Sequence, residues 1–237
     1  MSGTVGPRPE SIFNRFSFEF DGVDDYIDIT SIGLSLGSDW SVSCWVKTNN
    51  KTADGGSFRG WFSTGGWNTA GNFKIAIRDN NGFASVWEGG SQVIVGNSDI
   101  SDNNWHNIVL TKTTSNITLF VDGLQQSTVS NSETWSFNNI YIGAGGQSTG
   151  ITVAGMWNGN IDEVSIFNTE LSASHITSIY NGGVPNDISS LSPISWWRMG
   201  EAANYSGGQW TLVDQGSGGN DGTSNGMDEN NRVLDIP

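Results

Sequence analysis

Four aspartates crowd one short stretch near the start of the chain, at Asp21, Asp24, Asp25 and Asp28. Hard carboxylate oxygens, joined by backbone carbonyls, suit calcium better than any softer metal. The same residues are also typical of a tight turn in which aspartates hydrogen-bond their own backbone. The stretch does not have the spacing of an EF-hand loop. Two interpretations therefore stay open, a structural calcium site and a solvated turn.

A pair of carboxylates at the same place has the residue types that glycoside hydrolysis needs, two acids that face one cleft. Glu19 and Asp21 alternate along a predicted strand, so their side chains share a face. The run then passes through a turn at Gly22 and ends in Asp24, so it does not complete a catalytic motif. We therefore expect a protein without enzymatic activity.

The chain contains eleven tryptophans, and the eight that precede residue 184 fall into two groups. One group begins or occupies predicted strands and is expected in the core: Trp40, Trp45, Trp61 and Trp105. A second group lies in predicted loops or glycine-rich surroundings: Trp67, Trp87, Trp135 and Trp157. Flat rings with a polar edge stack on sugar faces, and nearby polar side chains can bind hydroxyl groups. The second group is therefore our candidate ligand-binding set.

The charge balance excludes several classes of partner. Ten Lys and Arg residues stand against 24 Asp and Glu, which gives a net charge of −14. Nucleic acid and anionic lipid surfaces would be repelled by such a chain. No apolar run approaches the roughly 20 residues of a membrane-spanning helix. The single cysteine, Cys44, excludes an internal disulfide.

Short alternating segments predict an all-β fold. In Phe16 to Asp21 the aromatic residues fall on one face and the polar residues on the other, as in a half-buried strand. Similar segments recur along the chain, separated by turns rich in the 32 glycines. The one convincing helix lies within Leu171 to Tyr180, with Gly182 as its left-handed cap. We predict an antiparallel two-sheet β-sandwich, a jelly roll, with one short helix.

Four segments carry a family resemblance: FDGVDDYIDI (Phe20 to Ile29), WSVSCWVK (Trp40 to Lys47), WHNIVLTK with ITLFVDG (Trp105 to Gly123), and GNIDEVSIFNTELSASHITSIYN (Gly159 to Asn181). They resemble the laminin-G-like, concanavalin A-like jelly-roll family over residues 16–183. The resemblance implies a structural calcium held partly by an aspartate near the start of the last long strand. That residue would be Asp162, which we pair with Asp21 as the metal ligands.

Residues 184–237, called the tail below, contain a segment similar to the one that usually opens such a domain. It includes Trp196, Trp197 and Trp210, which a segment that buries nothing would not carry. The tail is expected to pack on the sandwich of its own chain, or on a neighbouring subunit in a homo-oligomer; a vestigial second repeat is the alternative. Residues 1–15 are expected to form an extended arm.

The resemblance favours a non-catalytic surface module that recognises glycans or partner proteins. A glycan hydrolase or lyase of the same superfamily is one alternative, and a structural shell subunit without a ligand is another. Residues 1–15 lack the apolar core of a secretory signal. We therefore expect a virion or phage surface protein, or an extracellular protein carried out by assembly into a larger particle, and otherwise a cytoplasmic protein.

Overall fold

Two antiparallel sheets pack face to face in the computed structural model, which describes residues 14–34, 36, 38–51, 58–66, 69–77, 81–146 and 155–237. Sheet A contains β1 (Ser17–Asp21), β3 (Trp40–Lys47), β8 (Trp105–Lys112), β9 (Asn116–Val121), β10 (Leu124–Ser130), β12 (Asn158–Phe167), β13 (Ser195–Trp197) and β17 (Arg232–Val233). Sheet B contains β2 (Tyr26–Leu34), β4 (Arg59–Ser63), β5 (Phe73–Ile77), β6 (Phe83–Glu88), β7 (Ser91–Asp99), β11 (Phe137–Ile142), β14 (Ala203–Ser206), β15 (Gln209–Leu212) and β16 (Gly222–Asn225). The predicted sandwich is confirmed, whereas residues 1–13 of the predicted arm lie outside the described residues.

Alternation along the strands builds the core. On β1, Phe18 and Phe20 are buried between the sheets, while Glu19 and Asp21 are exposed on the opposite face. Ring packing adds to the buried apolar area, as where Trp40 stacks on Phe73 with centroids 5.2 Å apart. The inner faces therefore hold the apolar residues, and polar chemistry is left to the outer faces and the rim.

The helix α1 (Ala173–Tyr180) covers one part of the outer face of sheet A. The side chain of Ser172 accepts a hydrogen bond from the His175 backbone N–H and so caps the first turn. Ile176 and Ile179 are buried in a small cluster on the outer face. The helix ends at Tyr180 and is capped by Asn181 in the left-handed conformation (φ 46°), and Gly182, the predicted left-handed cap, follows with a φ of 69°.

The tail contributes strands to both sheets of its own chain. Strand β13 pairs with the second half of β12, beside the first half where β1 pairs. Strands β14, β15 and β16 extend sheet B from the edge of β2, and β17 pairs with β1. Trp196 and Trp197 on β13 are both buried. Within the described residues, no helix is long and apolar enough to cross a membrane.

Candidate functional site

A groove of about 560 Å³ lies on the outer face of sheet A, where β1 and β3 end and β12 begins. Asn160 on β12 pairs with Glu19 on β1 and with Lys47 on β3, and Asn158 pairs with Asp21. Directly paired residues project from the same face of a sheet. These five side chains therefore form a polar floor on the face that points away from the core. We call this site the polar groove.

The backbone of the floor is held close by one glycine. Gly159, between the two asparagines, has a φ of 135°, which L side chains rarely adopt. A Cβ at this position would lie 2.1 Å from the carbonyl oxygen of Lys47. Glycine therefore lets β12 approach β3 directly beneath the groove.

The tail supplies one wall of the polar groove, from residues 226–231. Asp228 caps the short turn Glu229–Asn231 and accepts a hydrogen bond from the Asn230 backbone at 2.7 Å. The Asn231 Nδ2 group donates to the Glu19 carbonyl and to Asp25 Oδ2, each at 2.8 Å. These two bonds fasten the wall to the floor, so this wall of the groove depends on the tail.

The aspartates that follow β1 form an acidic turn beside the groove. Side-chain oxygens of Asp21, Asp24 and Asp25 lie within 4.8 Å of one another. Asp21 Oδ1 accepts from the backbone of Val23 at 2.7 Å, and Asp25 Oδ2 accepts from the Asp21 backbone at 3.0 Å. Burial, the largest cause, raises the pKa of the Asp25 carboxyl. Backbone hydrogen bonds thus account for the conformation of the turn, and calcium there stays a prediction.

Asp162 lies apart from this turn. Asp21 pairs with Asn158, and Asp162 is four residues further along β12, a distance of about 13 Å at the usual rise of a strand. Asp162 is fully buried, and its oxygens accept from Asn14 Nδ2 at 2.7 Å and from the Glu163 backbone at 2.8 Å. The structure therefore does not bring the two predicted calcium ligands together.

The predicted ligand-binding tryptophans are buried wherever the structure describes them. The exposed fractions are 6% for Trp87, 5% for Trp135 and 0% for Trp157. Trp87 packs against Phe58, and Trp157 against Trp61, with centroids 4.9 and 5.1 Å apart. Trp67 lies outside the described residues. Trp87 lies within β6, in a small cluster with Phe58 and Ala76 that is separate from the main core, whereas Trp135 and Trp157 belong to the main core. The three described rings therefore offer no open face to a sugar.

The polar groove was not predicted as a unit. Glu19 and Asp21 were recognised as sharing a face, and the alternation of Asn158 and Asn160 around Gly159 was a signal for an outward polar surface on β12. The wall from the tail had no local signal, because Asn231 meets the Glu19 carbonyl across 212 positions of sequence. Sequence periodicity places side chains on a face, but it does not show which distant segment covers that face.

Solved structures with similar folds include proteins from several sources. A candidate carbohydrate binding protein from Bacteroides ovatus matches 97% of this chain with 15% identity and a TM-score of 0.67, and this chain covers 61% of its length. A heptameric SAP-like pentraxin from Limulus polyphemus matches 70% of this chain and 82% of its own, with 12% identity and a TM-score of 0.54. The CBM40 of the Ruminococcus gnavus IT-sialidase, bound to α2,3 sialyllactose, matches 72% and 98%, with 14% identity and a TM-score of 0.53.

At these identities the structural likeness shows the fold alone. No curated protein matches the sequence. The family model of the concanavalin A-like lectin/glucanases superfamily matches residues 21–177, about two thirds of the chain. The match includes β3 and β12 from the floor of the polar groove, and only the last residue of β1. The chain belongs to the concanavalin A-like lectin/glucanases superfamily.

Proposed function

We propose that this chain is a non-catalytic glycan-binding module whose sugar site is the polar groove. The observation that carries the proposal is the chemistry of its lining, in which side-chain amides and carboxylates project together from a rigid sheet into one open concavity. Such groups donate to and accept from sugar hydroxyls with fixed directions. The Bacteroides and Ruminococcus structures, whose names refer to carbohydrate binding, support a glycan as the ligand.

Several groups in the floor are positioned before any ligand arrives. Asn158 Nδ2 donates to the Asp21 carbonyl at 2.7 Å, and the Asn158 carbonyl accepts from Thr48 Oγ1 at 2.6 Å. Asn160 is 7% exposed, and its Nδ2 group donates to Ser17 Oγ at 3.4 Å. Side chains held in this way lose little conformational entropy on binding, which favours affinity. The carboxylate of Glu19 projects from the same floor and is exposed to solvent, where a sugar hydroxyl can reach it.

Replacing Glu19 by alanine is expected to weaken glycan binding about ten-fold. A hydrogen bond to a charged group contributes about 1.5 to 3 kcal/mol, and about 1.4 kcal/mol corresponds to a factor of ten in affinity. Isothermal titration with an oligosaccharide that binds on a glycan array measures the change. Glu170→Ala is the matched control, because Glu170 is an exposed acid just before α1 and does not line the groove. Equal affinity in wild type and Glu19→Ala would show that neither Glu19 nor this floor belongs to the binding site.

One observation favours a second candidate, hydrolysis of a glycan. Glu19 and Asp21 both line the polar groove, and glycoside hydrolases place two carboxylates on one cleft. Incubation with a polysaccharide panel, followed by a reducing-end assay, is expected to show no turnover, because the run ending in Asp24 does not continue as a strand. Catalysis, not binding alone, would be the function if the wild type shows turnover that is lost in Glu19→Gln and kept in Glu170→Gln.

A further inference from the structure

We infer that the polar groove selects neutral or amino sugars and rejects anionic ones, an inference that rests on the proposed function. The first observation is the sign of its charges. Carboxylates of Glu19, Asp21, Asp25 and Asp228 line the groove, from the floor, the acidic turn and the tail wall. Because they surround a single concavity, a bound ligand lies close to several of them at once.

The second observation concerns the cation in the groove. Among the described residues that line it, Lys47 is the one with a positive side chain. Lys47 Nζ forms an ion pair with Asp235 Oδ2 at 2.6 Å, and Trp105 Nε1 donates to the other oxygen of the same carboxylate at 3.0 Å. Although burial opposes it, these hydrogen bonds lower the pKa of Asp235, so the partner of the lysine stays ionised at neutral pH. The lysine charge is therefore already balanced within the protein.

An anionic sugar in this groove meets repulsion without a compensating cation. One negative charge at roughly 6 Å from a carboxylate lowers affinity about three-fold even at the dielectric constant of water, and more in a partly desolvated groove. Several carboxylates together exceed ten-fold. Neutral sugars avoid this cost, since their hydroxyls donate charge-assisted hydrogen bonds to carboxylates that only accept. An amino sugar gains attraction in addition. The expected ligand class thus differs from the sialylated sugar in the Ruminococcus structure.

Matched sugars that differ in charge test the inference directly. The probes are lactose and sialyllactose, a neutral and an anionic form of one core, together with chitotetraose and its deacetylated, cationic form. They are titrated into the full chain at about 50 and about 300 mM salt, where the screening length differs. Lactose is expected to bind at least ten-fold more tightly than sialyllactose, and deacetylated chitotetraose more tightly than chitotetraose. Both ratios are expected to be smaller at the higher salt concentration.

The variant Glu19→Gln keeps the shape of the side chain and removes one charge. It is expected to reduce discrimination against the anionic probe by about three-fold, whereas Glu170→Gln leaves the discrimination unchanged. Glycans that bind in a Glu19-dependent way, with the anionic form as tight as the neutral form, would overturn the inference and leave the proposed function standing. Absence of binding by every probe and by a wider neutral array would overturn both.

Discussion

Truncation after Gly183 is expected to abolish cooperative folding of the sandwich. The tail pairs with three strands of the preceding part, through β13 on β12, β16 on β2 and β17 on β1. It also buries apolar side chains in the main core, namely Trp197, Met199, Trp210, Leu212 and Met227. Removing it exposes two sheet edges and the apolar surface beneath them, which promotes aggregation. Expression of residues 1–183 should therefore give insoluble protein, or protein without a cooperative melting transition.

A single substitution at Trp197 tests the contribution of the tail to stability in a full-length chain. Trp197 is fully buried, and its Nε1 group donates to the Asn220 carbonyl at 2.8 Å. Trp197→Ala is expected to lower the free energy of unfolding by about 3 to 5 kcal/mol, a large part of the 5 to 15 kcal/mol typical of a domain. Urea denaturation followed by far-UV circular dichroism measures the change.

The matched control is Leu234→Ala, also in the tail, where the leucine is 76% exposed. Its effect should stay within about 0.5 kcal/mol, as for other surface substitutions. If the truncated chain melts at the temperature of the full chain, or if Trp197→Ala is as mild as Leu234→Ala, the tail is an appendage rather than part of the fold.

The fold could be predicted largely because a sandwich repeats a local signal. Each half-buried strand shows a period of two, as in Phe18 and Phe20 against Glu19 and Asp21. The short helix was also predicted from a local pattern, because Ile176 and Ile179 fall on one face of a helix. What a local pattern does not contain is the order of strands in a sheet. The position of β13 beside β12, next to β1, depends on pairing between distant segments, since β1 pairs with β12 across about 140 residues of sequence. The family resemblance was the available signal for this arrangement.

The candidate site shows the corresponding limit for side chains. Trp157 lies between Gly155 and Gly159 in a glycine-rich stretch that suggested a loop, yet the ring is fully buried against Trp61. Local glycine content therefore did not show which neighbouring strand would cover the ring. Asp162 was assigned to a metal because of its position in the family pattern. Its real surroundings depend on Asn14 and Glu163, and on Glu201 from the tail.

Those surroundings are a buried cluster of carboxyl groups between β12, the segment before β1 and the tail. Asp162 is fully buried and Glu163 is 5% exposed. Glu163 receives hydrogen bonds from Arg198 Nε at 3.0 Å and Trp196 Nε1 at 2.5 Å. Glu201 accepts from the Phe16 backbone at 2.9 Å and adds its charge to the cluster. Arg198 is the cation that pairs with Glu163, whereas the described contacts of Asp162 contain no cation.

Burial, followed by the charge of Glu163, raises the pKa of Asp162 well above its ordinary value. Burial likewise raises the pKa of Glu163 to about 7, although Arg198 opposes the shift. The Asn14 side chain fits a protonated Asp162. Its Oδ1 is buried without a partner while its Nδ2 faces Asp162. A rotated amide would therefore accept the proton of a neutral carboxyl at Asp162.

These raised pKa values predict that the protein loses stability as pH increases from about 5 to about 8. Between the ordinary carboxyl pKa, near 4, and the raised value of about 7 for Glu163, the folded chain holds protons that the unfolded chain has released. Stability then falls with rising pH, since the folded state binds more protons. The expected loss is on the order of 2 kcal/mol. Melting temperatures across this range measure it.

The variant Asp162→Asn isolates the cluster from other titrating groups. His106 adds a loss in the same direction, because Asp122 and Asp102 raise its pKa against the effect of burial. The wild-type slope alone is therefore not diagnostic. Asparagine mimics a neutral carboxyl, so Asp162→Asn should flatten the slope between pH 5 and 8, while Glu170→Gln should leave it unchanged.

Arg198→Met should steepen the slope and lower stability by about 3 kcal/mol or more, because Glu163 then stays buried without its cation. Parallel slopes in wild type, Asp162→Asn and Arg198→Met would mean that the cluster does not titrate in this range.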